Sequence, residues 1–492
     1  MKQLKNERKC GILMPISSLP SVYGIGNFGK KAYEFADFLH KTGQSYWQVL
    51  PLNPTSYGDS PYQSPASVSG NPYFIDSETL YKEKLLTEEE LKSAINKSKK
   101  VDYGWLFNTR YELLRKAYSR FSKDKEYEEF CRNNIDWLDD YALFMSLKVQ
   151  HGYSEWTSWG IEYQDYEHAK SLAYNYTEEM DFWRFIQFEF YKQWDKLHKY
   201  VKSLGIEIIG DMPIYVAHDS MDVWSNPNDF LLDENNNPTL VAGCPPDGFS
   251  PDGQLWGNPI YDWDKMEKDG FSWWCKRIAE SFKLYDVLRI DHFRGFAGYY
   301  SIPYGHDTAR YGSWKHAPGI ELFSTIKNKF PEAKIIAEDL GFITEDVREL
   351  LSFTGFPGMK ILQFAFYDDN SEYLPRMFKD ENCIVYTGSH DSDCTKTWYK
   401  NINGDVKKRF MAECPKKVKQ TGTEALINFA LNSKACLAII PIQDYLELEN
   451  EVGRMNVPAV ATGNWAWRIS PRYRSEKLIN KIYKMTIDSK RK

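Results

Sequence analysis

The chain has 492 residues, with 62 Lys and Arg against 68 Asp and Glu, so its formal net charge is −6. Hydrophobic residues make up 42% and charged residues 26%, ordinary globular usage that excludes disorder, collagen and coiled coil. The mild acidity argues against nucleic-acid or anionic-membrane partners, which favour a basic face.

Short runs rich in Ile, Val and Leu recur at 10–16, 46–52, 206–216, 287–291, 334–340, 359–365, 383–387 and 437–442. Most lack polar alternation, as strands of a parallel sheet covered on both faces do. Helical periodicity lies between them at 30–42, 182–204, 271–284, 319–329, 344–353 and 424–432. Strands alternating with helices predict an α/β fold, a single (β/α)8 TIM barrel over 1–492. No G-x-G-x-x-G follows the first strand, which disfavours a dinucleotide fold. Two gaps are too long for simple crossovers. Residues 76–180, charged and rich in Tyr and Trp, predict a helical insertion. Residues 217–270, rich in Pro, Gly, Asn and Trp, predict a loop-rich insertion. The stretch from 472 to 492 reads as a basic closing helix.

Eight cysteines are scattered without a C-x-x-C pair, as expected of free thiols in a reducing cytosol. The apolar run at 11–16 is short and carries Pro15, and no stretch reaches the ~20 apolar residues of a membrane span. A cytoplasmic chain is expected.

Reacting groups in such barrels come from the C-terminal ends of strands. Those ends carry acids repeatedly: Asp211, Asp291, Glu338 with Asp339, Asp391 and Asp444. Single acids there can be helix caps, but clustered, partly dehydrated acids cost free energy and point to a site. Arg289 and Asp291 stand two apart on a strand and so share a face. A guanidinium beside Asp291 would hold it ionised, as a nucleophile requires. Glu338, on the next strand and partly desolvated, would carry a raised pKa and donate a proton, with Asp339 pointing the other way. Two carboxyls in unequal environments suit glycoside chemistry. A metal site built from Asp291, His292, Glu338, His390, Asp391 and Asp393 is opposed by the charge of Arg289 and by the lack of H-x-H or H-E-x-x-H spacing. No metal and no cofactor are expected.

In these residues the chain resembles the 4-α-glucanotransferases called amylomaltase or disproportionating enzyme, relatives of the α-amylases. The resemblance is carried by Tyr57-Gly58-Asp59-Ser60-Pro61-Tyr62-Gln63, Gly210-Asp211-Met212-Pro213 and Gly253-Gln254-Leu255-Trp256-Gly257-Asn258-Pro259. It continues through Arg289-Ile290-Asp291-His292-Phe293-Arg294-Gly295, Ala337-Glu338-Asp339-Leu340-Gly341 and Gly463-Asn464-Trp465. It implies Asp291 as nucleophile, Glu338 as general acid and then base, and Asp391 as a third carboxylate on the distorted sugar, supported by Arg289, His292 and His390. Asp59 and Tyr62 would help form the donor subsite, and Asn464 would add a sugar contact. Phe249, Gln254 and Trp256 would lie in a loop that closes over an α-1,4-glucan.

The chain departs from the family pattern in three places. Ser389-His390-Asp391-Ser392 replaces the usual Thr-His-Asp-Asn, Gly248 stands where an aromatic is common, and the loop from Gln443 to Asn456 is altered. The competing readings are a glucan hydrolase and a catalytically silent glucan-binding protein. A monomer or weak homodimer is expected.

Overall fold

The computed structural model describes residue 4 and residues 8–246, 250–341 and 343–492. Its first six strands are β1 (Lys9–Leu13), β2 (Tyr46–Gln48), β3 (Glu207–Met212), β4 (Leu240–Cys244), β5 (Gln254–Pro259) and β6 (Val287–Ile290). The next six are β7 (Gly298–Pro303), β8 (Ser313–His316), β9 (Ile335–Ala337), β10 (Gly358–Ile361), β11 (Cys383–Tyr386) and β12 (Leu437–Pro441). Eight of them are parallel and close into a barrel in the order β1-β12-β11-β10-β9-β6-β3-β2. All eight predicted runs supply a barrel strand, but the ladders are shorter than the apolar runs. Val49–Leu52 stays buried yet leaves the sheet, because Pro51 has no N–H to donate. In the same way β3 stops at Met212, before Pro213.

The predicted crossover helices surround this barrel as Lys30–Lys41, Thr177–Ser203, Ser272–Leu284, Gly319–Lys329, Glu345–Thr354 and Gly422–Asn432. The last begins with a capping box, in which the Glu424 amide donates to the Thr421 hydroxyl and the Thr421 amide to the Glu424 carboxylate. The closing helix, Glu476–Asp488, brings a buried Arg491 under the barrel, where its guanidinium donates to the carbonyls of Lys9, Leu431 and Ser433. Between β2 and β3 the chain is largely helical, and Ile135–Gln150 packs along Thr177–Ser203.

The segment predicted as loop-rich is more ordered than its composition suggests. It holds β4 and β5, which join β7 and β8 in an antiparallel sheet of order β5-β4-β7-β8. These strands are short and broken by Gly and Pro. Two of the four follow β6 in the chain, so the pairing is non-local and carries no periodic signal. Val241, Tyr300, Ile302 and Ala309 give this sheet a small core of its own, separate from the main one.

Close approach fixes one glycine beside the site. A Cβ at Gly210 would lie 2.1 Å from the Tyr285 ring. Gly210→Ala is therefore expected to destabilise the fold by about 1–3 kcal/mol, the range for overpacking a filled core. A fall in the urea midpoint at unchanged m-value would show it.

Candidate active site

Barrel register assembles the site. Asp211 on β3 and Arg289 on β6 are Cα partners, so their side chains emerge on one side and meet with Nη1 to Oδ1 at 2.5 Å. The other guanidinium nitrogen, Nη2, reaches Asp291 Oδ1 at 2.9 Å. Arg289 is 3% exposed, so its charge is held between two carboxylates rather than offered to a ligand. Asp291 keeps 29% of its side-chain surface open toward the cleft.

Glu338 follows β9, the strand beside β6. The His292 amide donates to its Oε2 at 2.7 Å and the Leu340 amide to its Oε1 at 2.8 Å. To bring its N–H there, His292 adopts a left-handed backbone (φ 49°), a costly conformation for a side chain of this size. Asp339 points the other way, accepting from the Met359 amide at 2.6 Å.

Electrostatics separate the two carboxyls. Burial pushes Glu338 up to about 7, Asp291 adds to the rise, and Arg289 and two amide donors only partly offset it. Asp291 is also pushed up by burial, to about 6, because Arg289 does not fully compensate and Asp211 adds a like charge. The guanidinium favours the ionised form, but burial outweighs it and leaves Asp291 above the ordinary carboxylate range, though still the more acidic of the two. The roles expected from the sequence have Asp291 ionised and Glu338 protonated. A narrow bell for kcat/KM is therefore expected, lost below about pH 6 and above about pH 7, and a pH series on one short maltooligosaccharide would measure it.

Asp391 follows β11 and behaves differently. Burial would raise it, but His390 and the Asn456 amide hold it down at about 2, so it stays ionised. His390 Nε2 lies 3.2 Å from its Oδ2, and Asn456 Nδ2 donates to its Oδ1 at 2.6 Å. Asn456 carries no predicted role, and its signal lay in the Arg454-Met455-Asn456 stretch. Arg454 completes that clamp, donating to the Asp391 carbonyl at 2.7 Å and pairing with Asp393. Ser392 closes the turn around Asp391, its hydroxyl accepting the Ser389 N–H at 2.9 Å.

Tyr62 joins the two halves. Its hydroxyl donates to Asp211 Oδ2 at 2.8 Å and so must accept from His390 Nε2 at 2.9 Å, which places a proton on that nitrogen. The two rings stack at 5.4 Å, with Trp465 tilted against both. A chain of polar contacts therefore runs from Asp391 through His390, Tyr62, Asp211 and Arg289 to Asp291. Asp211 and Trp465 were not predicted as site residues. Trp465, like Asp59 (φ 59°) and His292, sits in the left-handed region at the barrel mouth.

Gln254 and Trp256 reach the site on β5. Trp256 lies edge-on to the His292 ring at 4.8 Å, and its indole N–H is held by Gln254 Oε1 at 3.1 Å. His292 Nε2 is buried without a hydrogen-bond partner. Burial and Arg294 push this ring down to about 3, so it is neutral.

Two residues of the predicted site spend their polar atoms within the protein. Asn464 spends its amide on its own loop, accepting from the Val457 N–H and donating to the Val457 and Val460 carbonyls. Arg289 is buried between Asp211 and Asp291, so it positions side chains and does not face the cleft. Phe249 lies outside the described residues. Among the described residues no three His, Cys, Asp or Glu side chains converge as a metal site would require, no helix is long and apolar enough to cross a membrane, and the eight cysteines are free.

Two carboxyls of unequal strength at the C-terminal ends of neighbouring strands in a closed parallel barrel are the arrangement of a glycoside-processing enzyme. The chain belongs to the 4-alpha-glucanotransferase family, which it matches over residues 14–474. It is 48% identical to the 4-alpha-glucanotransferase of Clostridium butyricum over 96% of this chain and 99% of that one. To the Thermus thermophilus enzyme of the same name it is 44% identical, over 94% and 95% of the two chains. The amylomaltase of Streptococcus agalactiae, solved in complex with acarbose, superposes with a TM-score of 0.95 at 40% identity over 99% of this chain and 100% of that one.

Proposed function

We propose that Asp291 attacks the anomeric carbon of an α-1,4-glucan while Glu338 protonates the departing chain. Glu338, then a carboxylate, takes the proton from the 4-hydroxyl of an acceptor sugar, which displaces Asp291. Two inversions retain the α configuration, as in the double displacement of retaining enzymes. The observation that carries this assignment is the Glu338 carboxyl pinned by the amide of the residue after Asp291, with the two acids pushed apart in strength. Ionised Asp391, held by His390 and Asn456, binds hydroxyls of the distorted sugar. Asp59 and the ring of Tyr62 face the donor, and Gln254 and Trp256 face the acceptor. Eight free cysteines support a cytoplasmic site of action. In solution the chain is a monomer or weak homodimer.

The test is the product profile on maltotriose. Transfer yields free glucose and a ladder of longer oligosaccharides. Rising reducing ends without elongation would turn the reading to a hydrolase, and binding without any product to a silent glucan-binding protein.

A further inference from the structure

Segment 304–312 links β7 to β8 in the small antiparallel sheet, and it grips the hairpin that delivers Gln254 and Trp256. Two donors converge on one carbonyl, since the Ala309 amide and the Thr308 hydroxyl both bond Asp252 O at 3.1 Å. Arg310 adds an ion pair to Asp252 Oδ1 at 2.7 Å, exposed and so weak by itself. The buried Tyr300 hydroxyl donates to the Ala309 carbonyl at 2.8 Å, tying the segment to β7 and to the separate core. At the residue after Asp252, Gly253 (φ 70°), an added Cβ would meet Cys244 O at 2.4 Å and Ala309 Cβ at 2.8 Å, so the two segments are packed without slack. A register shift between Val241 and Gly243 bends β4 against β5. Beyond it Trp256 packs edge-on against the ring of His292, the residue after Asp291, whose buried Nε2 has no hydrogen-bond partner.

We propose that Tyr300, Thr308 and Arg310 are positioning residues: through Ala309 and Asp252 they brace the β4–β5 hairpin and set how closely Trp256 seals the acceptor side of the cleft, and thereby how the glycosyl-enzyme divides between a sugar acceptor and water. The inference rests on the transfer reading above and adds residues remote from the reacting atoms. A braced Trp256 keeps water from the anomeric carbon while an acceptor sugar displaces it. A loosened one admits water, whose attack, with its proton passing to Glu338, releases the glucan as a free reducing end.

The experiment compares wild type, Tyr300→Phe and Thr308→Val/Arg310→Ala on maltotriose, scoring elongated products against net new reducing ends, with the KM for glucose as acceptor. Each variant is expected to raise the hydrolysis-to-transfer ratio by roughly 3- to 10-fold, the factor that accompanies one lost hydrogen bond. Acceptor KM should rise while the rate of donor cleavage changes little. A purely structural role would lower the melting temperature without moving the ratio. Tyr304→Ala, on the same segment with its side chain in solvent, should leave the ratio unchanged. If Tyr300→Phe folds poorly, the Thr308/Arg310 pair decides, since it leaves the small core intact. A wild type that forms the ladder, with variants that keep its ratio, overturns the brace alone. A wild type that forms no ladder removes the transfer reading and the brace with it.

Discussion

Asp291→Asn is expected to lower maltotriose turnover by roughly 10⁴-fold or more, because the covalent intermediate needs a carboxylate at that place and an amide cannot supply it. Glu338→Gln is expected to cost roughly 10²–10⁴-fold, the contribution of a positioned proton donor. The two losses separate on a substrate whose leaving group needs no proton. With an α-maltosyl fluoride donor, Glu338→Gln should recover its first step and form the glycosyl-enzyme, whereas Asp291→Asn should stay silent. Rapid-quench detection of the covalent species reads this directly, and near-normal turnover by either variant would remove that residue from its role. Both changes are close to isosteric. In Glu338→Gln the side-chain carbonyl could still accept one of the two amide donors that the carboxylate takes now, so both proteins should fold.

The barrel was legible because its strands are continuous apolar runs, which nothing but a doubly covered sheet explains at that spacing. The strand-end acids were legible as a set because acids there are costly without a use, whereas Asp391 was singled out by the resemblance alone. What was not legible shares one cause, pairing between residues far apart in sequence. The β5-β4-β7-β8 sheet joins two different crossovers, and its strands are too short and too rich in Gly to announce themselves. Asp211 was noticed as a strand-end acid, but its pairing with Arg289 depends on β3–β6 register, which the sequence does not show. Asn456 and Asn464 are alike in sequence, both amides in a Gly- and Pro-containing loop. The backbone turns one toward Asp391 and the other back on itself. The strength of Asp291 was misjudged for a related reason. Its guanidinium neighbour was visible, but the burial that outweighs that neighbour, and the second carboxylate that adds to it, were not.

That second carboxylate gives the other large effect. Asp211 is buried, touches no open surface, and shares Arg289 with Asp291 while receiving the Tyr62 hydroxyl. Asp211→Asn keeps the shape and one acceptor but removes a charge, leaving Arg289 to Asp291 alone. Two consequences have definite signs. Asp211 now raises the pKa of Asp291, so its neutralisation should lower that pKa and move the acidic limb of kcat/KM to lower pH. The basic limb should move less, because Asp211 is not among the main groups acting on Glu338. Stability should fall by about 3 kcal/mol, the lower part of the range for one partner lost from a buried pair, since Arg289 keeps its other carboxylate. Turnover should fall roughly 10²-fold even at the shifted optimum, because Tyr62 and His390 lose the acceptor that fixes their proton order and Asp391 loses its alignment with it. Urea unfolding, a pH series and kcat on maltotriose separate the three effects. A variant with lowered stability but an unmoved acidic limb would reduce Asp211 to a packing role.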